Sequence, residues 1–179
     1  MNLVASAPPW LVAVLFAALA AAALEDAIRL KISNATCLAV LASALVAMGL
    51  HGFPLALWQN AVVFAVLLIV GTFAFGSGKV GGGDVKLLAS LGLWVDLRSA
   101  VWLVAAVFIA GGILALGFIT ARMVARSPTG ERRKRIGSKG IPYGLAIVAG
   151  ACLVFAGQLG WMQPKAEKPN PFAVRVPTL

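Results

Sequence analysis

Apolar residues come in long runs with no polar face, separated by short polar gaps. Trp10–Ile28, Leu55–Phe75, Ala100–Ala121 and Ile141–Trp161 each approach the ~20 residues a helix needs to cross about 30 Å of hydrocarbon. Ala35–Leu50 and Asp84–Val95 are apolar but short, which calls for ends that extend into the flanking loops or for a thinned or wet part of the bilayer. The pattern predicts an all-α polytopic membrane protein of about six transmembrane helices. Residues 1–162 form one membrane domain, and the proline-rich stretch from Gln163 to Leu179 reads as an extended tail.

Composition agrees with a bilayer as solvent. Of 179 residues, 61% are hydrophobic and 12% charged, and the mean hydropathy is +0.95; this is more apolar surface than a soluble domain of that length can bury. The net charge of +9 does not mark a nucleic-acid surface, because the basic residues fall in the gaps between apolar runs. With the N-terminus outside, the inner gaps and helix edges hold Arg29, Lys31, Lys79, Lys86, Arg122, Arg126, Arg132, Arg133, Lys134, Arg135 and Lys139. The outer segments hold only Arg98, Lys165, Lys168 and Arg175. The positive-inside rule therefore places both termini outside the cytoplasm. ALAAAALED resembles the end of a secretory signal peptide, but Met1 to Pro9 has no positive charge on a side chain, so Trp10–Ile28 is read as a retained first span. Cys37 and Cys152 lie in apolar runs with no CxxC spacing, which indicates neither a zinc site nor a disulfide.

The six acids then become informative. Glu131 and Glu167 lie in polar segments and Asp96 in the outer turn WVDLRS. Asp26 closes the first span and Asp84 opens the fourth, so both fall at the inner edge of the membrane. An ionisable side chain near hydrocarbon is a functional candidate by default, and two carboxylates at one depth can share a proton as an aspartic protease dyad does. The bland readings are an N-cap for Asp84 and, for Asp26, an interfacial acid balanced by Arg29 at i+3. Glu25 points about 100° away from Asp26 on a helix and reads as a residue at headgroup level. His51 reads as an outer-loop residue. The glycines before Asp84 would permit positive φ angles and the close approach of a substrate backbone. They do not make a phosphate loop, since no GKS or GKT follows.

The motifs resemble those of the type IV prepilin peptidases. Gly81-Gly82-Gly83-Asp84, followed by Val85-Lys86-Leu87, is similar to their GxGD signature. Asp26 with Ile32 and Asn34 is similar to the first aspartate and the Ile-Pro-Asn that follows it, and Ile141-Pro142-Tyr143-Gly144 resembles the Pro-Tyr-Gly opening of the last span in the short branch. Ser33 stands in place of the proline, and Ile28 in place of an arginine two residues after the first aspartate. The resemblance implies an intramembrane aspartic endopeptidase of the bacterial cytoplasmic membrane that removes the basic leader of prepilins or pseudopilins. It makes Asp26 and Asp84 catalytic, and Gly81, Gly82, Gly83, Lys86 and Asn34 substrate-binding. The zinc loop of the long form is missing, which implies a peptidase without N-methyltransferase activity, like those of Tad/Flp-type systems, needing no metal or cofactor. The expected partners are the prepilin and the lipid bilayer, with no nucleic acid; the sequence carries no signal for an oligomeric state. Presenilin-type proteases share the GxGD chemistry but have more spans and a Tyr-Asp where this chain has Glu25-Asp26. A small proton-coupled carrier would use the same two carboxylates, and a structural scaffold would need neither.

Overall fold

The computed structural model describes residues 1–52, 55–78, 80–124 and 143–160. The basic loop Arg126–Gly140, the Ile141-Pro142 pair, Lys79 and the proline-rich tail lie outside the described residues.

Among the described residues, all the regular structure is helical. A single turn, α1 (Leu3–Ser6), precedes α2 (Pro9–Arg29), α3 (Asn34–Leu50), a 3-10 turn (Leu55–Leu57), α4 (Trp58–Gly76), α5 (Gly82–Gly92), α6 (Leu97–Val124) and α7 (Tyr143–Gln158). Pro9–Arg29, Leu55–Gly76 and Leu97–Ala121 are long and apolar enough to cross a membrane; Asn34–Leu50 and Tyr143–Gln158 are apolar but shorter. The expected segments recur with small shifts at their ends. The fourth, at 11 residues, spans only about 16 Å at 1.5 Å per residue, roughly half the hydrocarbon depth.

Each start has a local cause. Pro9 occupies the first position of α2, where its missing N–H costs nothing. The Ser33 hydroxyl caps α3 by accepting the Thr36 N–H at 3.1 Å. Asp96 caps α6 through the Ser99 N–H at 2.9 Å. At the start of α7, the Leu145 N–H is taken by a side chain 119 residues away, the carboxylate of Asp26.

Short α5 sits at the centre, packed on α3, α4 and α7, while α2 packs on α3 and α7, and α6 lies along α7 and the edge of α4. Glycine permits the closest helix approaches: a β-carbon at Gly150 would lie 2.6 Å from the Val107 backbone N, and one at Gly92 would lie 3.2 Å from that of Phe64. The α1 turn was not foreseen. Leu3 and Val4 are buried in the core, and the Leu3 N–H donates to the Trp94 carbonyl at 3.0 Å. Beside them, fully buried Asn60 donates through Nδ2 to the Met1 and Leu93 carbonyls, both at 2.9 Å. The antiparallel order of the long helices brings the C-termini of α2 and α4 and the N-termini of α3, α5 and α7 to the opposite end, where Asp26 and Asp84 lie. Many large side chains on α4 and α6 remain exposed, Phe73, Phe108 and Ile113 among them, which suits helices bathed in lipid.

Candidate active site

Asp26 stands in the last turn of α2 and is only 4% exposed. Its Oδ2 accepts the Leu145 N–H at 3.0 Å, so the carboxylate occupies the positive end of α7. Gly144 makes this approach possible: a β-carbon there would lie 2.9 Å from both Cγ and Oδ2 of Asp26. Arg29, the balancing cation expected at i+3, is exposed. The partner of Asp26 comes from α7 instead.

Asp84 is the third residue of α5, not its N-cap; the cap is Gly81, with φ −73°. The Asp84 carboxylate folds back towards the cap, where a β-carbon at Gly81 would meet its Oδ2 at 2.8 Å. Half-buried Asp84 lines an apolar cavity of about 520 Å³ between α4, α5, α6 and α7, with Leu88, Val104, Phe108 and Tyr143 among its walls. Its helix start and the surroundings of Asp26 meet at Ile32, which lies against Gly83 beside Asp84 and against Gly144, the residue Asp26 packs on.

The glycines act through the absence of side chains rather than through unusual torsions. The positive φ in this loop belongs to Gly78, at +72°, whereas Gly82 and Gly83 are helical. The free face of Gly83 is occupied by Ile32, whose Cβ and carbonyl O lie 3.1 Å from where a β-carbon would stand. Gly82 packs on the ring of Phe75, and Gly81 is exposed. Lys86 and Asn34 do meet: Nζ donates to Oδ1 at 2.8 Å and ties α5 to α3. They line a separate groove of about 300 Å³ with Cys37, Phe64 and Ser90, on another side of α5 from the cavity at Asp84.

Three contributors were missed in the sequence. Leu145 acts through its backbone, which no side-chain pattern reports. Ile32 and Gly144 fell inside motifs, but nothing in their spacing said that one packs against the other. Glu25 is also more than a headgroup-level acid: its Oε2 accepts the Ser33 N–H at 2.8 Å and the Thr36 hydroxyl at 3.0 Å. Ser33, standing where the motif has proline, has φ −72°, a value proline would share; its N–H, which proline would lack, is the group given to Glu25.

Residues 13–116, more than half of the chain, match the model of the type IV leader peptidase family. Both aspartates fall inside the matched segment, and Gly144 lies beyond it. No curated protein and no solved structure matches the chain. The chain belongs to the type IV leader peptidase family, and is a prepilin leader peptidase, an aspartic endopeptidase.

Proposed function

We propose that Asp26 and Asp84 are the catalytic pair of this peptidase and hold the hydrolytic water between them. The observation that carries this reading is the convergence of the two carboxylates at one end of the bundle. Asp26 is pinned to the start of α7 through Leu145, Asp84 lies against Gly81 at the start of α5, and Ile32 sits against both Gly83 and Gly144 between them. The reading takes the aspartic-protease division of labour, with one member of the pair ionised and the other protonated. The ionised member takes a proton from water as the water oxygen bonds to the scissile carbonyl carbon. The protonated member gives its proton to the carbonyl oxygen. The tetrahedral intermediate then collapses: the C–N bond breaks, the departing amine takes up the proton first removed from water, and a hydroxyl of the intermediate returns its proton to the other carboxylate as the C=O bond re-forms. The dyad is left with the single proton it began with.

The substrate follows from the surroundings. Arg29, Lys31 and Lys86 lie at the same end as the aspartates, and on the positive-inside rule that end faces the cytoplasm, where a prepilin carries its basic leader. The apolar cavity beside Asp84 suits the hydrophobic segment that follows the cleavage point. In this reading the chain crosses the cytoplasmic membrane six times, short α5 crossing in a thinned or wet part of the bilayer, with both termini outside. It removes leaders from Flp-type prepilins without methylating the product.

Coexpression with the tagged prepilins and pseudopilins of the same genome tests this reading. At least one should be shortened by its leader, and Asp26→Ala or Asp84→Ala should each stop the shortening while the enzyme stays in the membrane. Cleavage at the normal rate by either variant would refute the assignment.

A further inference from the structure

Glu25 is adjacent in sequence to Asp26, yet its bonds run away from the dyad. Both end on a single oxygen, Oε2, which receives the Ser33 N–H and the Thr36 hydroxyl. Ser33 ends the turn that carries Ile32, and Thr36 lies in the first turn of α3 that follows it. Ile32 fills the space between two glycines on different helices. A β-carbon at Gly83 would lie 3.1 Å from Ile32 Cβ, and one at Gly144 would lie 2.7 Å from Ile32 Cδ1. Gly83 immediately precedes Asp84, and Gly144 is the residue against which Asp26 packs. The turn also leaves α2 through Leu30 at φ 54°, a left-handed conformation that leucine rarely takes. The bonds from Ser33 and Thr36 to Glu25 close this turn against α2.

We propose that Glu25 is a positioning residue of the peptidase. By holding Ser33 and Thr36 it seats Ile32 as a wedge between the starts of α5 and α7, and the wedge sets the spacing of Asp26 and Asp84. The proposal rests on the assignment of those two residues as the catalytic pair. Glu25 itself neither touches the scissile bond nor exchanges a proton.

Since one oxygen accepts both hydrogen bonds, Glu25→Gln keeps the tether without the charge, and Glu25→Ala removes it. Membrane vesicles holding the full-length chain as wild type, Glu25→Gln or Glu25→Ala supply two readouts. With a prepilin that the wild type cleaves, Glu25→Ala should lower kcat at least tenfold and leave KM within about twofold, while Glu25→Gln stays within about threefold of wild type on both. Equal loss in the two variants would mean that the carboxylate itself reacts; no loss in either would mean that the tether is idle. Either result overturns the proposal.

The second readout needs no activity. In a chain with Cys37→Ala and Cys152→Ala, the pair Ile32→Cys and Gly83→Cys would have β-carbons about 3.1 Å apart, a few tenths of an ångström under the usual disulfide range of roughly 3.5–4.5 Å. Oxidation should close this bond at similar rates with Glu25 or Glu25→Gln, and at least fivefold more slowly with Glu25→Ala. Equal rates in all three would overturn the wedge. Should the Glu25→Ala chain fail to accumulate, Thr36→Val removes one donor only and should slow closure at least twofold; closure at the unmodified rate would again overturn it. Cleavage that survives replacement of Asp26 or Asp84 would instead sink the dyad and leave the disulfide result to stand alone.

Discussion

Gly144→Ala is the smallest change expected to damage the site. It adds one methyl group on α7, placed 2.9 Å from Asp26 Cγ and Oδ2 and 2.7 Å from Ile32 Cδ1. Ile32 Cδ1 is the end of a flexible side chain and can yield, but the Asp26 carboxylate is buried and fixed by the Leu145 N–H. Forcing a methyl into such a contact costs about 1–3 kcal/mol. If Asp26 turns aside to relieve it, the Leu145 N–H loses its partner, at a further cost of about 1–3 kcal/mol. Even the lower end of a single such cost, about 1 kcal/mol, applied to a dyad that works only when correctly spaced, implies a fall in cleavage rate of roughly fivefold. The upper end gives more than a hundredfold. The assay is the initial rate of leader release in membrane vesicles, normalised to the amount of inserted enzyme. Gly157→Ala is the control, because a β-carbon there meets nothing within 4 Å and alanine is the better helix former by about 1 kcal/mol. Wild-type rates for Gly144→Ala would refute the claim that the start of α7 grips Asp26.

Other expectations follow from the same contacts. Asp96→Ala removes the cap of α6 and should cost about 1 kcal/mol, seen as a lower melting temperature with cleavage unimpaired at moderate temperature. Burial of Asp96 works to raise its pKa, but hydrogen bonding from Ser99 outweighs it and holds the carboxyl below its ordinary 3.8. A depressed carboxyl stabilises the fold above the unfolded pKa and loses that contribution as pH falls through the folded value. The melting-temperature gap between wild type and Asp96→Ala should therefore be full at neutral pH and narrow below about pH 4. Gly150→Val drives a side chain into the Val107 backbone and should sharply reduce the folded enzyme recovered from membranes, whereas Gly117→Ala, which meets open space, should not. The pH–rate profile of cleavage should be bell-shaped for wild type, since the dyad needs one ionised and one protonated member; a flat profile would argue against a shared proton.

Much of the architecture is written in hydrophobic runs because bilayer thickness imposes one length on every crossing. Trp10–Ile28 and Pro9–Arg29 differ by one residue at each end for that reason. The α1 turn was invisible since four residues have no usable period; Leu3 and Val4 are recognised only by the core they fill. Asp26 and Asp84 stood out because carboxylates are scarce in so apolar a chain. Their supports did not. The grip on Asp26 comes from a backbone N–H across 119 residues, and Gly144 matters for what it lacks. The partners of Glu25 went unseen because angular distance from Asp26 on a helix says only what it does not face. Its actual partners lie beyond the helix end, in a turn whose left-handed Leu30 no propensity would suggest.

The central claim, one reaction run by two carboxylates, is tested most directly by single-turnover cleavage with Asp26→Asn, Asp84→Asn and the double variant, each confirmed as inserted at the wild-type level. Groups that act as one unit are not additive. The account predicts that each single substitution removes nearly all catalysis and that the double variant is no slower than either. Independent, multiplying losses, or a single variant that retains a substantial rate, would contradict it.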